Sequence, residues 1–209
     1  MQALGVILPK SEPSANPPDN CLANASAWVR RFLPNMLDED RSRKPIMLDL
    51  AAGSGRHVQL GVARGWCVVA ADRDTSAVAA LDLPEVESLE IDLESGSPAD
   101  VAARLNRADG YDALVVTNYL YRPLLPLLPA LLAPDGVMIY ETFMIGNERF
   151  GQPRNPNFLL QPGELLEAFK NKSTFIAFEQ GYEAHPSERM IQRVVATPRS
   201  PTPSDDLIK

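Results

Sequence analysis

Along the chain, short uninterrupted apolar runs alternate with segments whose apolar residues recur every three or four positions. Trp28, Phe32 and Met36, flanked by Val29, Leu33 and Leu37, repeat at helical spacing and predict an amphipathic opening helix that Pro34 kinks or divides. Five apolar runs follow: IMLDLA (46–51), CVVAAD (67–72), LEID (89–92), ALVVTNY (113–119) and VMIYETF (137–143). Continuous apolar strands separated by helix-compatible stretches predict an α/β fold, a mostly parallel sheet covered on both faces and joined by right-handed crossovers. Between the fourth and fifth runs, RPLLPLLPALLAPDG is read as a helix that Pro123 could begin and Pro129 would disturb. Residues 144–161, MIGNERFGQPRNPNFLLQ, read as a long loop, and loops of that length in a compact domain are usually functional or disordered. QPGELLEAF then predicts a helix with Pro162 at its first position. TFIAFEQ and RMIQRVVATP close the pattern as two strands. Their connection is too short for a crossover helix, so they pair antiparallel.

Composition narrows this picture without changing it. With 209 residues, 45% of them hydrophobic, the chain can bury one core of ordinary size. The expected division is a Pro/Ser/Asn-rich lead-in over 1–20, a single domain over 21–198 and a polar tail over 199–209. Cys21 and Cys67 are too isolated for a zinc site or a disulfide framework, and no metal is expected. MQALGVILPK has no basic start, and no segment reaches the roughly 18 apolar residues of a membrane span. The expectation is a cytoplasmic protein without a membrane partner. A formal net charge of −7 disfavours a nucleic-acid partner, and the basic runs VRR (29–31) and RSRK (41–44) read as solvated faces.

The stretch MLDLAAGSGRHVQL carries the first candidate chemistry. A strand entering a helix through Gly53-Ser54-Gly55 presents free backbone N–H groups at the carboxyl edge of a parallel sheet, where open α/β folds bind ligands. Arg56 and His57 fall in the first helical turn, where the macrodipole disfavours cations. Either a ligand anion lies close by, or the two side chains reach solvent or a protein carboxylate such as Asp72. Asp72 ends the second strand, where an acid accepts hydrogen bonds from the hydroxyls of a bound ribose. The helix-packing glycine of a dinucleotide-binding G-x-G-x-x-G is replaced by Val58, which tilts the turn away from NAD(P). Asp92 adds a carboxylate at the third strand, able to accept from an exocyclic adenine amine or to cap a helix.

Taken in order, DLAAGSGRH, VVAADRD, LEIDLE and DALVVTNYL, followed by an antiparallel hairpin, resemble the class I S-adenosylmethionine-dependent methyltransferases. The resemblance covers about Leu22 to Thr197 and is nearest to bacterial small-molecule methyltransferases related to the tellurite-resistance group. It implies a doubly wound, seven-stranded, Rossmann-like sheet with a C-terminal antiparallel hairpin, S-adenosylmethionine as cofactor, and a small-molecule acceptor. Family loops often read D-x-G-x-G-x-G or D-x-x-C-G-x-G, whereas Ala51 and Ala52 precede Gly53 here. By the resemblance, Asp49 would orient the loop and the amino-acid end of the cofactor, and Ala51, Gly53 and Gly55 would line it with backbone. Ser54 and Arg56 would adjoin it. Asp72 would hold the ribose, with Arg73, Asp92 and Leu93 at the adenine and Asn118 and Tyr119 beside the methyl group. NPPDN (16–20) looks like an N-P-P-aromatic amine-methylation signature, but it lies in the lead-in without an aromatic and is read as chance.

A sulfonium needs little from the protein beyond alignment, and a general base only if the acceptor is protonated. The candidates for such a base are Tyr119, Tyr121, Tyr140 and Glu141. Tyr140 could equally be core, and Glu141 could pair with Arg122 or Arg154. His185 reads as a solvated turn residue. The segment 144–161 should overhang the cofactor edge as part of an acceptor lid, with Tyr121, Arg122, Phe150, Arg154, Asn155 and Phe158 as candidate contacts. Two rivals stay open: an NAD(P)-dependent oxidoreductase of Rossmann type, and a protein that binds S-adenosylmethionine without catalysis.

Overall fold

The computed structural model of the chain describes residues 24–37 and 43–198. The lead-in, the tail, Cys21, NPPDN and the start of RSRK lie outside the described residues. The elements run α1 (Ala27–Phe32), β1 (Ile46–Leu50), α2 (Arg56–Ala63), β2 (Cys67–Asp72), α3 (Ser76–Ala79), β3 (Val86–Glu90), α4 (Pro98–Leu105) and β4 (Tyr111–Thr117). A 3₁₀ helix (Arg122–Leu131), β5 (Leu132–Phe143), α5 (Glu164–Phe169), β6 (Ser173–Glu183) and β7 (Arg189–Pro198) complete the domain.

The seven strands form one sheet in the order β3-β2-β1-β4-β5-β7-β6. β1 to β5 are parallel, and β7 pairs antiparallel with both β5 and β6. This is the doubly wound architecture with a closing antiparallel hairpin that the sequence pattern and the family resemblance imply. Strand side chains alternate faces. Leu48, Leu50, Val69, Leu114, Val116, Met138 and Tyr140 point to the face covered by α4, the 3₁₀ helix and α5. Met47, Val68, Ala70, Ala113, Val115 and Ile139 meet Trp28, Val29, Val58, Leu60 and Val78 from α1, α2 and α3 on the other. The chain order reverses between β1 and β4, so the flanking connections diverge there and leave a crevice at the strand tips.

Four local expectations are corrected. Pro34 neither kinks nor divides α1. The helix ends at Phe32 because Leu33, the residue before the proline, is extended, and Met36 and Leu37 lie beyond it. β3 spans Val86–Glu90 rather than 89–92, so Asp92 sits past the strand. As a sheet edge, β3 tolerates the exposed Glu87, Ser88 and Glu90, and an apolar run does not mark its extent. The proline-rich crossover is a ten-residue 3₁₀ helix. With three residues per turn, Pro123, Pro126 and Pro129 fall on one row and remove one line of donors, while Leu124, Leu125, Leu128 and Leu131 stay buried. Finally, α5 begins at Glu164 with a left-handed Gly163 before it, not at Pro162.

Fully buried Gln192 in β7 docks α5 and the end of the long segment onto the sheet. Its Oε1 accepts from Leu165 N (2.7 Å), and its Nε2 donates to the carbonyl of Gln161 and to Gln180 Oε1 (both 3.0 Å). A buried N–H left without a partner costs about 1–3 kcal/mol. Gln192→Leu is therefore expected to lower unfolding stability by about 2 kcal/mol in urea titration; an unchanged midpoint would contradict this docking role.

Candidate functional site: the crevice at the strand tips

The β1–α2 loop is held open by backbone conformation. Ala51, Gly53 and Gly55 all take positive φ, at 57°, 53° and 77°. Ala51 occupies a place where such loops often carry glycine, and its Cβ makes the left-handed conformation cost about 1–2 kcal/mol. The loop is latched to β2 through Ala52 N to Ala71 O (3.2 Å) and Gly53 N to Asp72 Oδ2 (2.8 Å). A Cβ on Gly53 would meet nothing within 4 Å, whereas one on Gly55 would press on Leu81 and Val78. The first glycine faces open space and the second packs against the fold.

Beneath the loop, three strand tips put polar groups on the α1–α2 face: Asp49 on β1, Thr117 on β4 and Glu141 on β5. His57 is buried there as a neutral ring, accepting from Ser26 N at Nε2 (3.1 Å) and lying 3.4 Å from Thr117 Oγ1 at Nδ1. Arg56 donates to the same Thr117 hydroxyl (3.2 Å). The cations expected at the positive helix end are thus one uncharged imidazole and one guanidinium near Asp49. Burial, then the nearby Arg56 charge, pushes His57 down to about 3. Burial raises the Asp49 carboxyl to about 7, against the pull of Arg56 and with a push from Asp72. Asp49 Oδ2 is buried without a hydrogen-bond partner among the described residues. Glu141 is committed elsewhere: Ser26 Oγ donates to it (3.0 Å), and it pairs with Arg193 (3.1 Å) and Arg189 (3.4 Å). Neither Arg122 nor Arg154 is its partner.

Two cavities open at the crevice and share Glu94, Tyr119 and Phe158. The first, about 530 Å³, is walled by Ala51, Asp72, Arg73, Ile91, Asp92 and Leu93 besides those three. The second, about 430 Å³, adds Asn118, Leu120, Thr142, Phe143, Gln152 and Pro153. Both volumes suit a small organic ligand. Asp72 keeps lone pairs free although it accepts from Gly53 N and Asp74 N (3.1 Å), and Asp92 accepts from Glu94 N (2.9 Å). Asn118 holds a positive φ of 55° while its N–H donates to Glu141 O (2.9 Å), an uncommon conformation of the kind that gathers at ligand sites.

The segment 144–161 is an ordered strap. A short parallel bridge joins Met144 to Leu160, and two 3₁₀ turns cover Asn147–Arg149 and Pro156–Phe158. Buried Asn147 donates to the carbonyl of Gln152 (3.2 Å) and accepts from Met190 N (3.1 Å). Arg122 donates to the carbonyls of Asn157 (2.6 Å) and Leu159 (2.7 Å) and pairs with Glu164 (2.6 Å). Through these anchors Gln152, Pro153 and Phe158 reach the cavities.

Of the residues singled out in the sequence, Ala51, Asp72, Arg73, Asp92, Leu93, Asn118, Tyr119 and Phe158 meet in the crevice walls. Asp49 lies near the end of β1, and Gly53, Ser54, Gly55 and Arg56 form the adjoining loop and helix start. Tyr140 is core, its hydroxyl donating to Tyr119 O (2.7 Å) and its ionisation pushed far above the usual phenol range by burial. Burial, with the Glu94 carboxylate beside it, also holds the Tyr119 phenol protonated. Neither phenol is a ready base. Arg122 staples the strap, Asn155 caps its second turn, Phe150 stacks on Tyr182 (5.3 Å), and Tyr121 packs against the core. These four and exposed Arg154 are not among the cavity walls, and His185 is exposed in the β6–β7 connection. Sequence reasoning missed Ile91, Glu94, Leu120, Thr142, Phe143, Gln152 and Pro153. For Glu94 a signal existed, since it follows Asp92 by two positions at the same strand end.

An unpartnered buried carboxylate oxygen, a glycine facing open space, and an acid with free lone pairs beside a cavity of suitable size fit an adenosyl amino-acid ligand. No protein-family model and no curated protein matches the sequence. Solved structures share the fold. TehB from Haemophilus influenzae superposes with a TM-score of 0.56 at 18% identity, over 76% of this chain and 59% of that one. The chain therefore spans about three fifths of TehB. The 1,6-didemethyltoxoflavin-N1-methyltransferase of Burkholderia thailandensis, solved with 1,6-didemethyltoxoflavin and S-adenosylhomocysteine, gives 0.56 at 17%, over 76% and 72%. A 16S rRNA (adenine(1408)-N(1))-methyltransferase from Catenulisporales acidiphilia gives 0.53 at 13%, over 77% and 88%. The fold is that of the S-adenosylmethionine-dependent methyltransferases. No helix among the described residues is long and apolar enough to cross a membrane.

Asp49 and His57 give opposite pH dependence. With its folded value raised, Asp49 contributes stability that is present below 3.8 and lost as pH rises toward about 7. With its value depressed, His57 contributes stability that is present above 6.5 and lost as pH falls toward about 3. Asp49→Asn removes only the first contribution. The melting temperature of the variant minus that of the unsubstituted protein should therefore grow more positive from about pH 4 to pH 8. A flat difference would contradict the raised carboxyl.

Proposed function

We infer that the protein is an S-adenosylmethionine-dependent methyltransferase acting on a small molecule. The observation that carries the reading is Asp72 beside the open Gly53 loop, at the wall of the 530 Å³ cavity, with buried Asp49 behind it lacking a partner for Oδ2. When bound, S-adenosylmethionine supplies a methyl group on a sulfonium, already activated toward displacement. The chain's part is to bind and align. Asp72 accepts the ribose hydroxyls, Ala51 and Gly53 let backbone approach closely, and Asp92 and Leu93 receive the adenine. Asp49 faces the ammonium of the amino-acid end, directly or through water.

The neighbouring 430 Å³ cavity, sharing Tyr119 with the first, is the place for the acceptor. Asn118 and Tyr119 stand between the two. The strap excludes water from one side through Pro153 and Phe158, and alignment in such a site can take about 7–11 kcal/mol off the barrier. A nicotinamide cofactor is disfavoured by Val58 in place of the packing glycine. Val58 is fully buried, so the helix there makes a side-chain contact rather than the closest approach.

Calorimetry with S-adenosylhomocysteine tests the reading. Binding is expected for the unsubstituted protein and weakened at least about tenfold by Asp72→Ala. Because an ammonium beside Asp49 lowers its raised carboxyl, binding near pH 6 should release a proton and binding near pH 8 should not. Calorimetry in buffers of different ionisation enthalpy reads this, and absence of heat would sink the reading. Replacing residues 150–157 by a short Gly/Ser turn should abolish methyl transfer while S-adenosylhomocysteine affinity stays within about threefold; equal loss of both would refute the strap's role at the acceptor.

A further inference from the structure

The second cavity has a definite chemical character. Its wall consists of the rings of Tyr119, Phe143 and Phe158, the apolar Leu120 and Pro153, and the neutral polar groups of Asn118, Thr142 and Gln152, with Glu94 as the one carboxylate. No arginine or lysine is among these wall residues. Outside the wall, Arg122 is engaged with Glu164 and the strap carbonyls, Arg56 with Thr117, and Arg189 and Arg193 with Glu141, while Arg154 is exposed on the strap. Arg73 belongs to the other cavity. Tyr119 is held protonated and so brings no second charge.

Glu94 lies in the wall shared by both cavities, where the methyl group would change hands. A neutral nucleophile attacking a sulfonium moves positive charge from sulfur to the attacking atom, so a carboxylate beside that atom favours the transition state more than the ground state. An anionic acceptor, whether phenolate, carboxylate or metalloid oxyanion, would instead meet Glu94 as a like charge with no compensating cation in the wall. Aromatic faces add to this preference, because they attract cations and stack on flat rings.

On the reading that the first cavity takes S-adenosylmethionine, we propose that the acceptor is a neutral nitrogen nucleophile on a flat aromatic or heteroaromatic scaffold, with Glu94 as the residue that stabilises and then deprotonates the methylated nitrogen. The nitrogen lone pair forms the N–C bond as the C–S bond breaks, and its electron pair stays on sulfur to give S-adenosylhomocysteine. The cationic nitrogen then passes its proton to a Glu94 oxygen, from which solvent removes it.

Product-like ions test this without needing the true acceptor. With S-adenosylhomocysteine bound, calorimetry should show N-methylquinolinium binding at least about tenfold tighter than quinoline-2-carboxylate. Glu94→Gln should erase most of that preference, and Glu94→Asp should keep part of it, with melting curves confirming that the variants fold. Methyl transfer from labelled S-adenosylmethionine should favour ring amines over matched phenols and carboxylic acids. Failure of the cation to bind, an equal or tighter anion, or an unchanged preference in Glu94→Gln overturns the proposal. A protein that takes up S-adenosylhomocysteine yet shows no cation preference refutes this proposal alone. One that takes up no S-adenosylhomocysteine refutes the methyltransferase reading, and this proposal with it.

Discussion

The reversal of strand order between β1 and β4 is the constraint on which everything at the site depends. Once the chain has laid β1, β2 and β3 outward in one direction, β4 must return to the far side of β1. The connections after β1 and β4 then leave on opposite faces, and their tips cannot be covered by one helix. Into that gap the β1 tip delivers the left-handed Ala51 and Gly53, and the β4 tip delivers Asn118, also left-handed. Strain on both sides of one opening is held by the strand register behind it, which pairs Asp49 with Val115 and Thr117 with Glu141.

The same register explains the polar layer under α1 and α2. Asp49, Thr117 and Glu141 all point to one face because each follows an apolar residue two positions earlier. Buried polar groups there need partners. Ser26 supplies several of them: its hydroxyl caps α1 by accepting from Trp28 N and Val29 N and also donates to Glu141, while its backbone N–H donates to His57. The opening helix is thereby tied to the start of α2 on one side and, through Arg193 and Arg189, to the closing hairpin on the other. Among the described residues, the one group in this layer with an oxygen lacking a protein partner is Asp49, on β1 below the Gly53 loop.

Much of this could be read along the chain. The buried strands β1, β2, β4 and β5 announced themselves as apolar runs, and the antiparallel β6–β7 pair followed from a connection too short to cross over. The Gly53 loop, Asp72 and the family resemblance all pointed to one rim. What stayed hidden depends on distant pairings. Nothing local in the sequence says that His57 meets Ser26, or that Arg122 spends its guanidinium on the strap instead of a ligand. Tyr140 and Glu141 illustrate the limit of face alternation: both sit at the right strand end, yet one points into the core and the other into an ion-paired cluster. The proline row at 123, 126 and 129 was a visible three-residue period, matching a 3₁₀ turn better than an α-helix.

The account rests on an adenosyl sulfonium lying along the rim from Asp49 to Leu93, and a crystal structure with S-adenosylhomocysteine tests it most directly. It should show the ribose hydroxyls on Asp72, the amino group facing Asp49 and the adenine against Asp92 and Leu93. A ligand bound elsewhere on the chain, or a crevice that stays empty at saturating ligand, would contradict it.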